Sequence, residues 1–345
     1  MWKITKLPII QAPMAGGATT PELVAAVANA GGLGSLGAGY MSPDEIRQAI
    51  RKIRQLTNNP FAVNLFIPEK HHATPEQIQK ACDDINQSCV ELNITVKPAS
   101  GPYAPSFEEQ INVVIEEKVP AFSFTFGIPD ARWISQLQKN NTILIGTATT
   151  LAEAQLLEKH GIDIIVAQGS EAGGHRGTFL DKAENVLIDL ASLVSQLVNH
   201  IKVPIVAAGG IMNGHGIAAA LALGAAGVQM GTAFLTCTEA GIPDIYKQKL
   251  LSQRQDNTTL TRAFSGKLAR GIRNKFINRM EKNKANILNY PIQNKLTQNM
   301  RKAAQEQDNA DFMSLWAGQS VSLCRDTDAG KLIDTLANEM RIINV

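Results

Sequence analysis

The sequence lacks the long apolar segments and the charge blocks that mark several large classes of protein. No stretch approaches the ~20 uninterrupted apolar residues that a membrane-spanning helix needs, and the first ten residues are too mixed for a signal peptide. Lys and Arg number 33 against 31 Asp and Glu, and they are spread along the chain. Because no basic block could neutralise a run of phosphates, we expect no nucleic acid as a partner. We expect a cytoplasmic protein that does not contact a membrane.

Cysteine is scarce as well, with four residues in a chain of 345. Cys82, Cys89, Cys237 and Cys324 show no CxxC or Cys/His spacing suited to zinc, and neither HExxH nor a paired-carboxylate pattern occurs. The GxSxG motif of serine hydrolases is also missing. We therefore predict no metal site, and hydrolytic chemistry has no support.

What the chain does contain is an alternation of short apolar runs with helical segments, up to about residue 235. The eight runs of strand length begin at Pro8, Gly32, Phe61, Ala121, Thr142, Ile164, Pro204 and Gly227. Strands that are apolar throughout and joined by helices are typical of a closed (β/α)8 TIM barrel, which is an α/β fold. An open doubly wound sheet is the main alternative, but its GxGxxG turn should follow the first strand. We interpret the glycines of residues 31–39 as a helix stop followed by a tightly packed strand.

After about residue 240 the chain becomes polar and helix-prone. We predict that residues 1–240 form the barrel core. Residues 241–345 should supply the last barrel helix and then a helical C-terminal cap over the mouth of the barrel. No linker rich in Pro, Ser or Gly separates the two parts, so we do not expect the second to fold independently.

Glycines at two consecutive strand ends indicate an anion site. Gly209 and Gly210 end the seventh run, and Gly231 lies in the eighth. Backbone N–H groups that glycine leaves bare can approach a phosphate, and the loops after the last two strands are the usual phosphate site of this fold. Close packing is the alternative reason for these glycines. A phosphate site with Asn and Gln at strand ends describes a cofactor pocket, but it leaves sugar-phosphate and pyridoxal-phosphate barrels open.

The loop after the sixth run, SEAGGHRG, contains His175. Its position just past a barrel strand, in a flexible polar loop, suits a residue that donates or accepts a proton or stabilises negative charge.

Several ordered stretches of the chain resemble the nitronate monooxygenases, formerly called 2-nitropropane dioxygenases, of the class I type. The motifs are PIIQAPMAGG, FAVNLF, QGSEAGGHRG, PIVAAGGI, VQMGTAFL and SLWAGQ, and the resemblance covers nearly the whole chain. It implies a flavin enzyme in which an alkyl nitronate gives one electron to FMN and reacts with O₂ to yield a carbonyl compound and nitrite. Propionate 3-nitronate is the implied substrate, and detoxification is the implied role.

The resemblance also assigns roles to residues. His175 would be catalytic, and Tyr103 and Tyr290 would face the substrate. A buried ring with a bonded hydroxyl is the alternative for both tyrosines. The residues expected to bind FMN, with Met14 near the ring and Gly209 in the glycine turn, are Met14, Asn64, Gln168, Gly173, Gly209, Gly210, Gln229, Met230, Gly231 and Thr232. The sequence does not decide the oligomeric state, and a homodimer is among the assemblies it allows.

Two other functions stay open. An FMN- and NAD(P)H-dependent enoyl-acyl-carrier-protein reductase would share the EAGGH loop, but such reductases tend towards QGGM and GTRF where this chain has QAPM and GTAF, and they lack its long tail. A non-catalytic phosphate- or nucleotide-binding barrel would need no histidine in that loop and should purify colourless.

Overall fold

The computed structural model describes residues 4–342. Its strands, in chain order, are β1 (Ile9–Gln11), β2 (Gly34–Gly37), β3 (Phe61–Phe66), β4 (Ala121–Thr125), β5 (Ile143–Ala148), β6 (Ile164–Gln168), β7 (Gly174–His175), β8 (Ile205–Ala208), β9 (Gly227–Met230), β10 (Thr258–Thr261) and β11 (Ala269–Ile272). Its α-helices are α1 (Pro21–Asn29), α2 (Pro43–Leu56), α3 (Pro75–Ser88), α4 (Phe107–Glu116), α5 (Ala131–Lys139), α6 (Leu151–Lys159), α7 (Leu190–His200), α8 (Gly214–Ala222), α9 (Thr232–Leu235), α10 (Asp244–Leu251), α11 (Lys275–Met280), α12 (Ile292–Leu296), α13 (Gln298–Glu306) and α14 (Ala329–Ile342). Short 3₁₀ helices occur at Val90–Leu92, Ala183–Asn185, Glu281–Asn286, Ala310–Phe312 and Val321–Leu323.

Eight of these strands form one parallel sheet in the order β1-β9-β8-β6-β5-β4-β3-β2. The two ends of the sheet meet, because Leu33, just before β2, pairs with Ile10, and its N–H donates to the carbonyl of Ile9 at 2.8 Å. The sheet is therefore a closed barrel, and the predicted (β/α)8 fold is confirmed. Each barrel strand lies inside one of the eight apolar runs.

The sequence begins its helices with clear local signals. Ser42 and Glu45 form a capping box at α2, in which the Glu45 carboxylate accepts from the Ser42 N–H at 2.7 Å. Thr74 and Gln77 make the same arrangement at α3. Proline follows each of these caps, where its missing N–H is not needed by the helix.

The buried apolar side chains form three clusters. The largest lies between the strands and the surrounding helices and includes Ile9, Val63 and Phe122. A small cluster fills the inside of the barrel with residues such as Ile10 and Ala62. Neighbouring residues of one strand enter different clusters because successive side chains point to opposite faces. The third cluster lies outside the barrel and is the core of the cap.

The cap differs from the sequence-based prediction in its make-up. It is mainly helical, but it also contains a small sheet in the order β10-β11-β7. The segment between β3 and α4 joins it as well, since Ile85 and Cys89 pack in the same cluster as Phe276 and Ile277. Nothing in the alternation of runs indicated that an excursion after β3 would contribute to the cap.

The predicted order of the tail is reversed. We expected the last barrel helix before the cap, but α14, near the end of the described chain, packs against α1 and α8. The helix directly after β9, Thr232–Leu235, is too short to cover the outside of the last strand. Leu332, Ile333 and Leu336 of α14 pack instead in the main apolar cluster of the barrel. That residues 241–345 do not fold independently stays a prediction. None of the helices between residues 4 and 342 has the length and apolar character needed to span a membrane.

Candidate active site

A cavity of 1090 Å³ lies at the carboxyl ends of the barrel strands, between the barrel and the cap. Twelve of the thirteen predicted site residues line it: Met14, Asn64, Tyr103, Gln168, Gly173, His175, Gly209, Gly210, Gln229, Met230, Gly231 and Thr232. They come together because parallel strands in a barrel present their carboxyl ends on one face. The exception is Tyr290.

The glycines at the ends of β8 and β9 differ in what requires them. Gly209 and Gly210 have φ values of 125° and 69°, which L-residues with a side chain rarely adopt. Gly231 has an ordinary φ of −108°, and a Cβ there would meet only Ala12 Cβ at 3.4 Å and Met14 Sδ at 3.6 Å. Neither backbone strain nor crowding by the protein thus explains glycine at 231. Its bare backbone on the cavity wall fits the phosphate of a flavin nucleotide.

Gly173 has a different explanation. A Cβ at this position would lie 2.6 Å from backbone atoms of Ala317 and Gly318. Close packing of two backbones requires this glycine, whether or not it also contacts a cofactor.

The three amide side chains on the cavity wall are not equivalent. Asn64 donates from Nδ2 to Ser123 Oγ at 2.9 Å, and its Oδ1 accepts no hydrogen bond from residues 4–342. The Gln229 amide bonds to no side chain or backbone group in the same range and faces the cavity. Gln168, in contrast, uses both ends of its amide: Nε2 donates to the carbonyl of His175 at 2.9 Å, and Oε1 accepts from Gly177 N–H at 2.8 Å. Asn64 and Gln229 therefore have polar atoms free to bond to a ligand, whereas the Gln168 side chain is used to hold the loop that contains His175.

His175 is held by a strand pairing and by a side-chain contact. The loop that contains it, which we expected to be flexible, is therefore held in place by the cap. It lies in β7, which pairs antiparallel with β11, and His175 is opposite Ala269. Its Nε2 lies 2.8 Å from Ser265 Oγ. Ser265 is buried and was not indicated by any sequence motif. The cap thus positions a residue whose chain segment begins at a barrel strand.

The electrostatic surroundings keep His175 neutral. Burial, reinforced by the positive charges of Lys267 and Arg301, lowers the pKa of His175 to about 3. With Nε2 engaged by Ser265, Nδ1 is the ring nitrogen available to another group. The Ser265 hydroxyl can donate to Nε2 or to the Lys267 carbonyl, which lies 3.1 Å away. When it donates to Nε2, Nδ1 carries the proton and is a hydrogen-bond donor.

Buried charges brace the rest of the loop after β6. The Glu153 carboxylate accepts hydrogen bonds from the N–H groups of Thr149 and Phe179, at 2.7 and 2.6 Å. Arg176 is fully buried and donates through Nη1 to the carbonyls of Gln168 and Gly169. Burial lowers the pKa of Arg176 to about 10, and Glu153 and Glu171 oppose that shift. The conspicuous charges of the GGHRG stretch therefore have partly a structural role.

The two predicted substrate tyrosines lie in different places. Tyr103 lines the cavity and donates from its hydroxyl to the Ala99 carbonyl at 3.1 Å. Tyr290 is buried behind the wall, with its ring centroid 6.3 Å from that of His175. Burial raises its pKa. The geometry supports contact with a ligand for Tyr103 and packing beside the histidine for Tyr290.

Two aromatic residues that sequence reasoning did not assign to the site complete the surroundings of His175. Phe126 has a left-handed backbone, with a φ of 77°, and its ring lies 5.9 Å from the imidazole. Such a conformation in a bulky residue is costly and is found where the surrounding structure enforces it. Trp316 lies 5.4 Å from His175 on the cavity wall. Its SLWAGQ segment was noticed only as a motif of the family.

The SLWAGQ segment, residues 314–319, crosses the mouth of the barrel. The Gly318 N–H donates to Thr232 Oγ1 at 3.0 Å, and the Gln319 N–H donates to the Glu171 carbonyl at 3.0 Å. It therefore connects the turn after β9 to the histidine loop.

Comparisons with known proteins agree with this geometry. A family model described as "Nitronate monooxygenase" matches residues 1–339. A probable nitronate monooxygenase of Staphylococcus saprophyticus is 46% identical over 97% of this chain and 94% of its own length. The crystal structure of a nitroalkane oxidase from Streptomyces ansochromogenes superimposes with a TM-score of 0.92 at 39% identity, covering 99% of this chain and 97% of the other. FabK from Thermotoga maritima gives a TM-score of 0.77 at 31% identity, covering 99% and 94%.

Proposed function

Because the chain belongs to the nitronate monooxygenase family and is an oxidoreductase, we propose that it uses FMN and O₂ to convert alkyl nitronates into carbonyl compounds and nitrite. Propionate 3-nitronate is the proposed substrate, and removal of this toxic anion is the proposed role.

The observation that carries the proposal is the position of His175, which β11 and Ser265 hold on the wall of a cavity that Arg301 also lines. Arg301 lines the same cavity and adds positive charge near the imidazole, whereas the charge of Lys267 is paired with Glu69. A nitronate is already an anion, so its reaction needs no strong base to remove a proton. Positive potential favours the binding of this anion over its neutral nitroalkane form.

In this proposal His175 acts as a hydrogen-bond donor. Ser265 donates to Nε2, and Nδ1–H then donates to a nitronate oxygen. A donor held in a water-poor cavity stabilises the charge on the nitro group without rearrangement during the reaction. The bracing by β11 and by Gln168 keeps the imidazole in place.

FMN would supply the one-electron oxidation of the substrate when bound. The turns at Gly209, Gly210 and Gly231 would bind its phosphate through backbone N–H groups. Asn64 and Gln229 would offer amide groups to the ring, and Met14 would pack against it. Tyr103 would contact the substrate.

The purified protein should be yellow, with a flavin spectrum. Under anaerobic conditions propionate 3-nitronate should perturb or reduce the flavin, whereas NADH and NADPH should leave it unchanged. In air, nitrite should form together with the carbonyl product. Rapid bleaching by NADH, with no response to the nitronate, would instead favour the enoyl-acyl-carrier-protein reductase.

A colourless protein that takes up no flavin would favour a non-catalytic phosphate-binding barrel. The immobilised histidine on the cavity wall argues against that function, since phosphate binding alone requires no such residue.

A further inference from the structure

Arg301 lies on the cavity wall and forms no ion pair with a carboxylate of the described residues. It lies on α13 in the cap, and its side chain lines the cavity that also contains His175. Its Nη2 donates to the carbonyl and to Oδ1 of Asn294, both at 2.9 Å. Nε is buried and has no hydrogen-bond partner within residues 4–342. In the same range, no carboxylate forms an ion pair with the guanidinium.

The other cations near the cavity are either paired or exposed to solvent, and Lys295 and Lys302, which also line the cavity, are both exposed. Lys267 forms an ion pair with Glu69 at 2.6 Å and lies 4.3 Å above the Phe126 ring. Lys302, next to Arg301 on α13, is exposed and lies 3.8 Å from Glu306. A buried N–H group without a partner costs free energy unless a ligand satisfies it. Arg176 has unpartnered N–H groups as well, but it does not line the cavity. Arg301 does line it, so its unused donors indicate a ligand there.

The two carboxylates on the same wall do not fill this role. Glu45 is occupied by the capping box of α2, where it accepts hydrogen bonds from Ser42. Glu109 lies in the first turn of α4, where it suits the helix dipole. The donors of Arg301 are thus free to bind an anion that enters from solvent.

The preferred ligand of an arginine fork is a planar anion with two oxygens, such as a carboxylate. This inference rests on the proposed function, because the nitronate end of the substrate is assigned to His175. We propose that Arg301 binds a carboxylate at the far end of the substrate, so that the enzyme selects nitronates with an anionic tail over simple alkyl nitronates. The barrel loop then holds the reacting end, and the cap recognises the tail.

The test compares two substrates that differ only at the tail. Propionate 3-nitronate and propyl-1-nitronate have the same chain length, with a carboxylate in the first where the second has a methyl group. For Arg301→Gln we expect kcat/KM to fall about 10- to 100-fold with propionate 3-nitronate, as for loss of a hydrogen bond to a charged group, and less than about threefold with propyl-1-nitronate. Arg301→Lys, which keeps the charge, should recover part of the loss. Lys249→Gln, at an exposed lysine of α10 that does not line the cavity, is the control and should leave kcat/KM unchanged for both substrates.

An equal loss for both substrates, or no loss for either, would overturn the assignment of Arg301. Flavin content and melting temperature of each variant show whether it is folded.

Equilibrium binding of succinate keeps the test decisive if Arg301→Gln does not fold or if no nitronate is turned over. Succinate is close in shape to propionate 3-nitronate, since a carboxylate and a nitronate are both planar and carry two oxygens. By calorimetry the wild-type protein should bind succinate at least about tenfold more tightly than butyrate, as expected for one charge-assisted contact. Equal binding of the two would refute the carboxylate site. Absence of turnover with both nitronates, together with strong succinate binding, would refute the proposed function but leave the anion site in place.

Discussion

Substitution of Gly231 by leucine tests the phosphate site most directly, because neither the backbone conformation nor the packing of the protein requires glycine at this position. A Cβ would make only ordinary van der Waals contacts, and the backbone φ of −108° suits any residue. The free energy of unfolding of the flavin-free protein should therefore change by less than about 1 kcal/mol. The side chain would project into the cavity from the turn that we assign to the phosphate.

The expected effect on the cofactor is much larger. Loss of two backbone contacts to the phosphate, at about 1.5–3 kcal/mol each, would weaken FMN binding by about 3–6 kcal/mol, or roughly 10²- to 10⁴-fold. Absorbance of the purified protein gives the ratio of flavin to protein, and reconstitution with added FMN gives the Kd. Gly330→Leu is the matched control, since a Cβ there meets only Asp328 Oδ1 at 3.5 Å, far along the chain in α14.

Two outcomes would refute this reasoning. Full flavin occupancy in Gly231→Leu would show that the phosphate binds elsewhere. A large loss of stability in the flavin-free protein would show that the glycine serves packing after all.

Three further predictions concern the histidine. His175→Ala should keep its flavin and lose most of its turnover with nitronates, and unchanged activity would remove the catalytic role. Ser265→Ala should lower kcat/KM about tenfold at unchanged flavin content. The reason is that the imidazole loses the contact at 2.8 Å that sets its orientation and tautomer. Unchanged kinetics in this variant would show that Ser265 is not needed to position the ring. The pKa of His175 is about 3 in the folded protein and about 6.5 in the unfolded chain. Between these pH values the unfolded chain binds a proton that the folded chain does not. The contribution of His175 to stability is therefore complete above pH 6.5 and is lost as the pH falls towards 3. Between pH 7 and 5 the free energy of unfolding, measured with denaturant, should fall by about 2 kcal/mol from this group, and His175→Asn should reduce that fall. An identical pH dependence in the variant would contradict the assignment of a neutral His175.

Much of the site was accessible from the sequence because barrel geometry relates chain position to space. Once eight strands are recognised, residues at their carboxyl ends must lie on one face. For that reason Asn64, Gln229 and Gly231 could be placed on the cavity wall from their positions in apolar runs alone. The contacts of their side chains could not be, and Gln168 shows the difference, since its amide is used by the histidine loop.

The barrel, its strands and the location of the site follow from the amino-acid pattern, because hydrophobic period, helix caps and glycines act over a few neighbouring residues. The residues around His175 come together only in the folded chain. Ser265, Trp316 and Arg301 lie 90 or more positions away in the chain. The packing of the cap places Trp316 and Arg301 on the cavity wall and Ser265 against the imidazole, and the cap segments carry no periodic signal of these positions. Long-range packing of this kind depends on the whole folded chain. Local sequence patterns therefore could not predict the partners of His175 or its protonation state.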